Sequence, residues 1–165
     1  MNNKIKEIIP FVGLGELKFG LTRDEVKAFL GKPTDISNVP MMEGEDEDEV
    51  NENLESWHYD EQEFSLVFDG DYDWKLVSIA ISDPFFTLKG KSIIGQPKDD
   101  VIKHFGSLGY ELSYEEDLSD EENDDLWLIE SEDGGFMVWF QDDEVIEMQI
   151  LPDLAEDGES LVWPA

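Results

Sequence analysis

The chain has no cysteine, two histidines and a single arginine, and its 11 basic residues stand against 42 acidic ones. Without thiols, neither a disulfide framework nor a thiolate metal centre can form. The formal charge of −31 repels phosphate backbones and anionic headgroups, which argues against direct binding to nucleic acid or to an anionic membrane. Long apolar runs are missing too. Nothing approaches the roughly 20 apolar residues of a membrane-spanning helix. Residues 1–10 hold no apolar stretch of signal-peptide length, so a cytoplasmic protein is expected. The histidines, His58 and His104, have no nucleophile or carboxylate at a recognisable catalytic spacing, and no enzyme is expected.

Cofactor and metal motifs are incomplete. Gly13-x-Gly15 lacks the rest of a dinucleotide loop, and Gly31-Lys32 and Gly90-Lys91 lack a phosphate-loop context. Asp69-x-Asp71-x-Asp73 begins like a calcium loop, but Trp74 and Ala80 stand where glycine and glutamate are required. A polar hairpin turn is the expectation there, with no cofactor and no metal.

What is present is a core-forming composition, 40% hydrophobic and 12% aromatic. The 165 residues suffice for one compact domain or two small intimate ones. The segment 19–31, Phe-Gly-Leu-Thr-Arg-Asp-Glu-Val-Lys-Ala-Phe-Leu-Gly, returns in altered form, without gaps, at 94–106. Gly20 falls on Gly95, Asp24 on Asp99, Val26 on Val101 and Gly31 on Gly106. Thr22 and Glu25 form a capping box, and Pro97 suits a first helical position. Gly31 and Gly106 fit a left-handed helix end. Each helix is about two turns long and needs a partner to persist.

Both helices lead towards strands. Residues 64–68, 76–81, 136–140 and 145–151 alternate apolar and polar side chains, as half-buried antiparallel strands do. The pattern points Val77, Ile79 and Ile81 inward in one, and Ile146, Met148 and Ile150 in another. Residues 43–49 and 115–125 are strongly acidic and read as loops. The expected fold is α+β: two tandem repeats of helix plus antiparallel sheet, with both helices on one face of a curved sheet. Residues 14–82 form the first repeat and 87–151 the second. Residues 1–13 are an N-terminal arm, and 152–165 a tail that reads as loop.

A sheet with helices on one side leaves the other open. Met137 and Trp139 alternate with core residues and should project there, as should His58, between Trp57 and Tyr59. Tyr72 and Trp74, in a hairpin loop, should flank them. Aromatics beside carboxylates are what a protein-binding surface uses. The acidic residues Glu45, Asp46, Glu47 and Asp48 of the first loop, and Glu121 and Glu122 of the second, complete the candidate partner surface. The rings have a second reading, as cover for a small core under the tail around Trp163.

The run Gly20-Leu-Thr-Arg-Asp-Glu-Val-Lys-Ala-Phe-Leu-Gly-Lys-Pro33, followed by Trp57 and Tyr59, resembles the β-lactamase-inhibitor-protein-like family. Small outer-membrane assembly lipoproteins of the SmpA/OmlA type share the pattern. The resemblance spans roughly residues 14–151 and implies a tandem sheet protein that offers a concave face to a protein target. The lipidated cysteine of the lipoproteins and the disulfides of the inhibitor have no counterpart here, so neither family's location carries over. The expectation is an acidic immunity or inhibitor protein that occludes a basic partner such as a toxin. The alternatives are an acidic housekeeping protein without a dedicated target and a weak cation-binding module.

Overall fold

The computed structural model describes residues 3–40, 50–122, 125–155 and 161–164. These residues form an α+β structure of two α-helices, one eight-stranded antiparallel sheet and three small sheets. Helix α1 (Arg23–Leu30) starts at a complete capping box. The Glu25 amide donates to Thr22 Oγ1 at 3.2 Å, and the Thr22 amide donates to Glu25 Oε1 at 3.1 Å. It ends at Gly31, whose φ of 84° a side chain would make strained. Helix α2 (Lys98–Ser107) has Pro97 as its N-cap and no side-chain cap bond. Gly106 does not end it. The helix runs one residue further, and the left-handed residue is Gly109, with φ 86°.

Strands β1 (Asp35–Pro40), β2 (Val50–Tyr59), β3 (Phe64–Asp69) and β4 (Lys75–Ile81) follow α1. Strands β5 (Tyr114–Asp117), β6 (Leu126–Ser131), β7 (Phe136–Gln141) and β8 (Glu144–Ile150) follow α2. Their order in the sheet is β5-β6-β7-β8-β4-β3-β2-β1. The last strand of each run therefore meets at the centre, where Ile79, Ala80 and Ile81 pair with Ile150, Gln149 and Met148. The first strands, β1 and β5, lie at the two edges. Both edge strands fall in stretches that read as polar connections, because every β5 side chain and the first four of β1 are exposed and show no apolar alternation.

Both strands that meet at the seam carry a bulge at the same place. In β4, Ser78 pairs with Val67 and Leu76 with Phe68, which leaves Val77 as the extra residue. In β8, Glu147 pairs with Trp139 and Val145 with Phe140, which leaves Ile146 over. An extra residue reverses the alternation beyond it. Leu76 and Val145 thus point inward, at 0% and 2% exposure, whereas Ile146 is 41% exposed. This corrects the inward orientation expected of Val77 and Ile146. The bulged strands also anchor the helix entries. Gly20 N–H donates to the Leu76 carbonyl and Leu76 N–H to the Leu21 carbonyl, while Gly95 and Gln96 make the same pair of bonds with Val145.

One buried cluster spans both runs of strands. Val26 of α1, and Val101 and Phe105 of α2, belong to it together with Leu66, Ile79, Val138 and Met148. The Phe105 and Phe136 rings lie 4.6 Å apart. The N-terminal segment is part of this core, since Ile5 and Ile8 are buried. Its Glu7 carboxylate accepts from Thr87 Oγ1 and from the Lys89 amide, each at 2.7 Å. The tail is not wholly loop: Asp153–Leu154 and Leu161–Val162 pair as a small antiparallel ladder. Trp163 then packs against the core, edge-on to Tyr72 at 5.9 Å. No helix among the described residues is long and apolar enough to cross a membrane.

Candidate functional site

Strand alternation gives the large sheet a second face, opposite the one that holds the core. One row of directly opposed residues crosses it from Asp35 to Tyr114 through His58, Ala80, Gln149 and Met137. A neighbouring row holds Glu116, Leu128, Trp139 and Glu147. Leu128 is buried on this face without belonging to the main core. Its cross-strand partner on β7 is Trp139, which Glu147 opposes from β8.

Below these rows lies a groove of about 820 Å³. Leu54, Val67, Val77 and Met137 give it an apolar floor, with Ser78 and Gln149 among them. The Gln149 amide donates to Ser78 Oγ at 2.7 Å across the seam. Tyr72 lines it too, as do Leu154 and Leu161 of the tail ladder. Asp69, Glu130, Glu132 and Asp153 line it as well, and among the described residues no Lys, Arg or His does. No residue of α1 or α2 reaches it.

The charge is segregated. Of the 11 basic residues only Lys75 lies within a strand of the large sheet, and its ammonium sits 5.4 Å from the centre of the Trp163 ring. The others lie on the N-terminal segment, the helices and the short connections that lead into and out of them. A second hollow, beside α2, is lined by Lys91, Lys103 and His104 and is more polar. His104 is engaged there, donating from Nε2 to the Leu88 carbonyl at 2.9 Å.

The residues expected on the open face divide. Met137 lines the groove, and Trp139 stands one row away. His58 is on the face, between Ser37 Oγ at 3.1 Å and Ser65 Oγ at 2.9 Å. Tyr72 stands at the groove's side. Trp74 is a correction: it packs against the main core, with the Arg23 guanidinium 4.4 Å from its ring centre. A positive φ of 58° at both Asp73 and Trp74 turns the chain so that the indole swings to the α1 side. Glu121 and Glu122 are exposed in the turn after β5. Glu45, Asp46, Glu47 and Asp48 lie outside the described residues. Leu54, Val67, Val77, Leu128 and Glu147 were not singled out from sequence. Val67 alternates with Phe64, Leu66 and Phe68, so its side of the strand was readable; Val77 was hidden by the bulge.

Burial strips water from the Glu147 carboxylate and raises its pKa above the usual carboxylate value. Asp117, at the exposed end of β5, is held below the ordinary value by hydrogen bonds from Ser119. The acidic turn after β3 is self-contained, because Asp69 Oδ1 accepts from the Asp71 amide at 2.9 Å. Among the described residues no three His, Asp or Glu side chains converge as metal ligands. Comparison with protein-family models, curated proteins and solved structures finds no match to this chain.

Proposed function

We propose that this protein is a binding protein that occludes a basic protein partner with its helix-free sheet face, in the manner of an immunity or inhibitor protein. The observation that carries the reading is the face itself: apolar and aromatic side chains surrounded by carboxylates, on strands that hold one basic residue among them. Attraction would guide the encounter, and burial of Trp139, Leu128 and the groove would hold the complex.

The same reading takes the chain as two copies of one unit, helix followed by four strands, joined where their last strands meet. Three correspondences support it. Each fourth strand has a bulge at the same place. Each helix entry bonds to the inward residue beside that bulge. Each helix also begins with a cation over a tryptophan ring at 4.4 Å, Arg23 on Trp74 and Lys98 on Trp127.

The test starts from capture with immobilised protein, followed by stopped-flow association with the purified partner. A basic partner is expected, with an association rate that falls steeply between about 10 and 150 mM salt as the Debye length shrinks from about 30 to 8 Å. Trp139→Ala should leave association nearly unchanged and raise the dissociation rate, by roughly 2 kcal/mol or more. An acidic partner, or association indifferent to salt, would remove the proposal.

A further inference from the structure

We infer that the groove takes an extended segment of the partner, about seven residues long, in which apolar side chains alternate with Lys or Arg. The inference rests on the reading of this face as the partner surface and adds what occupies it. The groove reaches from Leu54 on β2 to Glu130 on β6 and crosses six neighbouring strands. Five strand spacings of about 4.8 Å make about 24 Å, the length of about seven extended residues at about 3.4 Å each.

The chemistry of the lining selects the side chains. Leu54, Val67, Val77 and Met137 ask for apolar contacts, while Asp69, Glu130, Glu132 and Asp153 share the lining with them and no cation does among the described residues. An acidic or neutral occupant would cover those carboxylates without neutralising them, which is costly. An extended chain sends alternate side chains to opposite sides. One set can meet the floor while the other turns back to the rim. The strands under the centre of the groove are already paired on both sides, so recognition must come from side chains rather than from an added strand.

The probe is a fluorescein-labelled heptapeptide, Lys-Leu-Lys-Leu-Lys-Leu-Lys, with hepta-lysine and Glu-Leu-Glu-Leu-Glu-Leu-Glu as controls, read by anisotropy and by amide shift mapping on the full chain. The alternating basic peptide should bind one to one, at least tenfold tighter than hepta-lysine, and shift Val67, Val77, Met137 and Gln149. Val67→Lys should weaken it tenfold or more. Leu154→Lys, at a position 52% exposed and so safe for folding, should weaken it several-fold. Equal binding by hepta-lysine, shifts confined to the acidic turns, or indifference to both variants would overturn the inference. With the captured partner, sensitivity to Trp139→Ala but not to Val67→Lys, Leu154→Lys or competing heptapeptide would overturn the groove assignment alone. Insensitivity to every one of these variants would overturn the open-face reading itself.

Discussion

At the scale of single residues, two protonation sites give testable consequences. Burial raises the pKa of Glu147 above its ordinary 4.5, so the folded state favours the neutral acid. Its contribution is intact below about pH 4.5 and is lost as pH rises through the folded value. Glu147→Gln should therefore unfold at higher urea than the parent at pH 7, and the difference should close at pH 4. An equal difference at both values would show a solvated carboxylate. Tyr59 behaves likewise at the other end of the scale. Burial pushes its phenol up from 10.0 to about 12, while its hydroxyl donates to the Gly31 carbonyl at 3.1 Å. Its stabilisation should persist to about pH 10 and fade as pH rises towards about 12. Tyr59→Phe loses the bond to the end of α1, at a cost of roughly 1 kcal/mol at pH 7, and the loss of stability over that alkaline interval should shrink with it. A parent and variant with the same alkaline profile would rule out Tyr59 as its source.

The elements carry a sharper test, because the bulges reverse what simple alternation implies. Val145→Ala should cost roughly 2 kcal/mol by loss of buried apolar groups, whereas Ile146→Ala should stay within about 0.5 kcal/mol, as exposed positions do. Denaturant midpoints in which Ile146 is the costlier site would mean that the bulge is misplaced. Val26→Ala and Val101→Ala should each cost roughly 2 kcal/mol, the helices being alike in burial. Much of this level was legible in the sequence. The Thr22–Glu25 box marked the start of α1, and the Phe-x-Leu-x-Phe and Phe-x-Val-x-Phe runs marked β3 and β7. The edge strands were not legible, since Tyr114-Glu-Glu-Asp117 has the composition of a solvated loop and becomes a strand only by pairing with β6. Nor was Trp74, whose direction depends on two positive φ angles in a row. Of the candidate surface, Met137, Trp139 and His58 followed from the period of two. The groove did not, because it joins residues from six strands and the tail.

For the molecule as a whole, a charge of −31 opposes the compact state by self-repulsion. Sodium chloride raised from about 10 to 150 mM should lift the thermal midpoint, since screening shortens the reach of each charge. Glu121→Gln with Glu122→Gln should change stability by no more than about 0.5 kcal/mol, yet slow association with a basic partner and flatten its salt dependence. A midpoint that falls on adding salt would place the important electrostatics in attractive pairs. Two ion pairs, Arg23–Glu55 and Lys98–Glu115, join described residues.

The bond from Thr87 to Glu7 links positions 80 residues apart. At about 5–20 residues per second of synthesis, Glu7 is made roughly 4–16 s before its partner. Ile5 and Ile8, destined for the core, wait uncovered through that interval, and Phe11 waits longer for its bridge to Pro152. The N-terminal segment is thus locked only after much of the fold that follows it has been made, and the nascent chain stays open to a chaperone in the meantime.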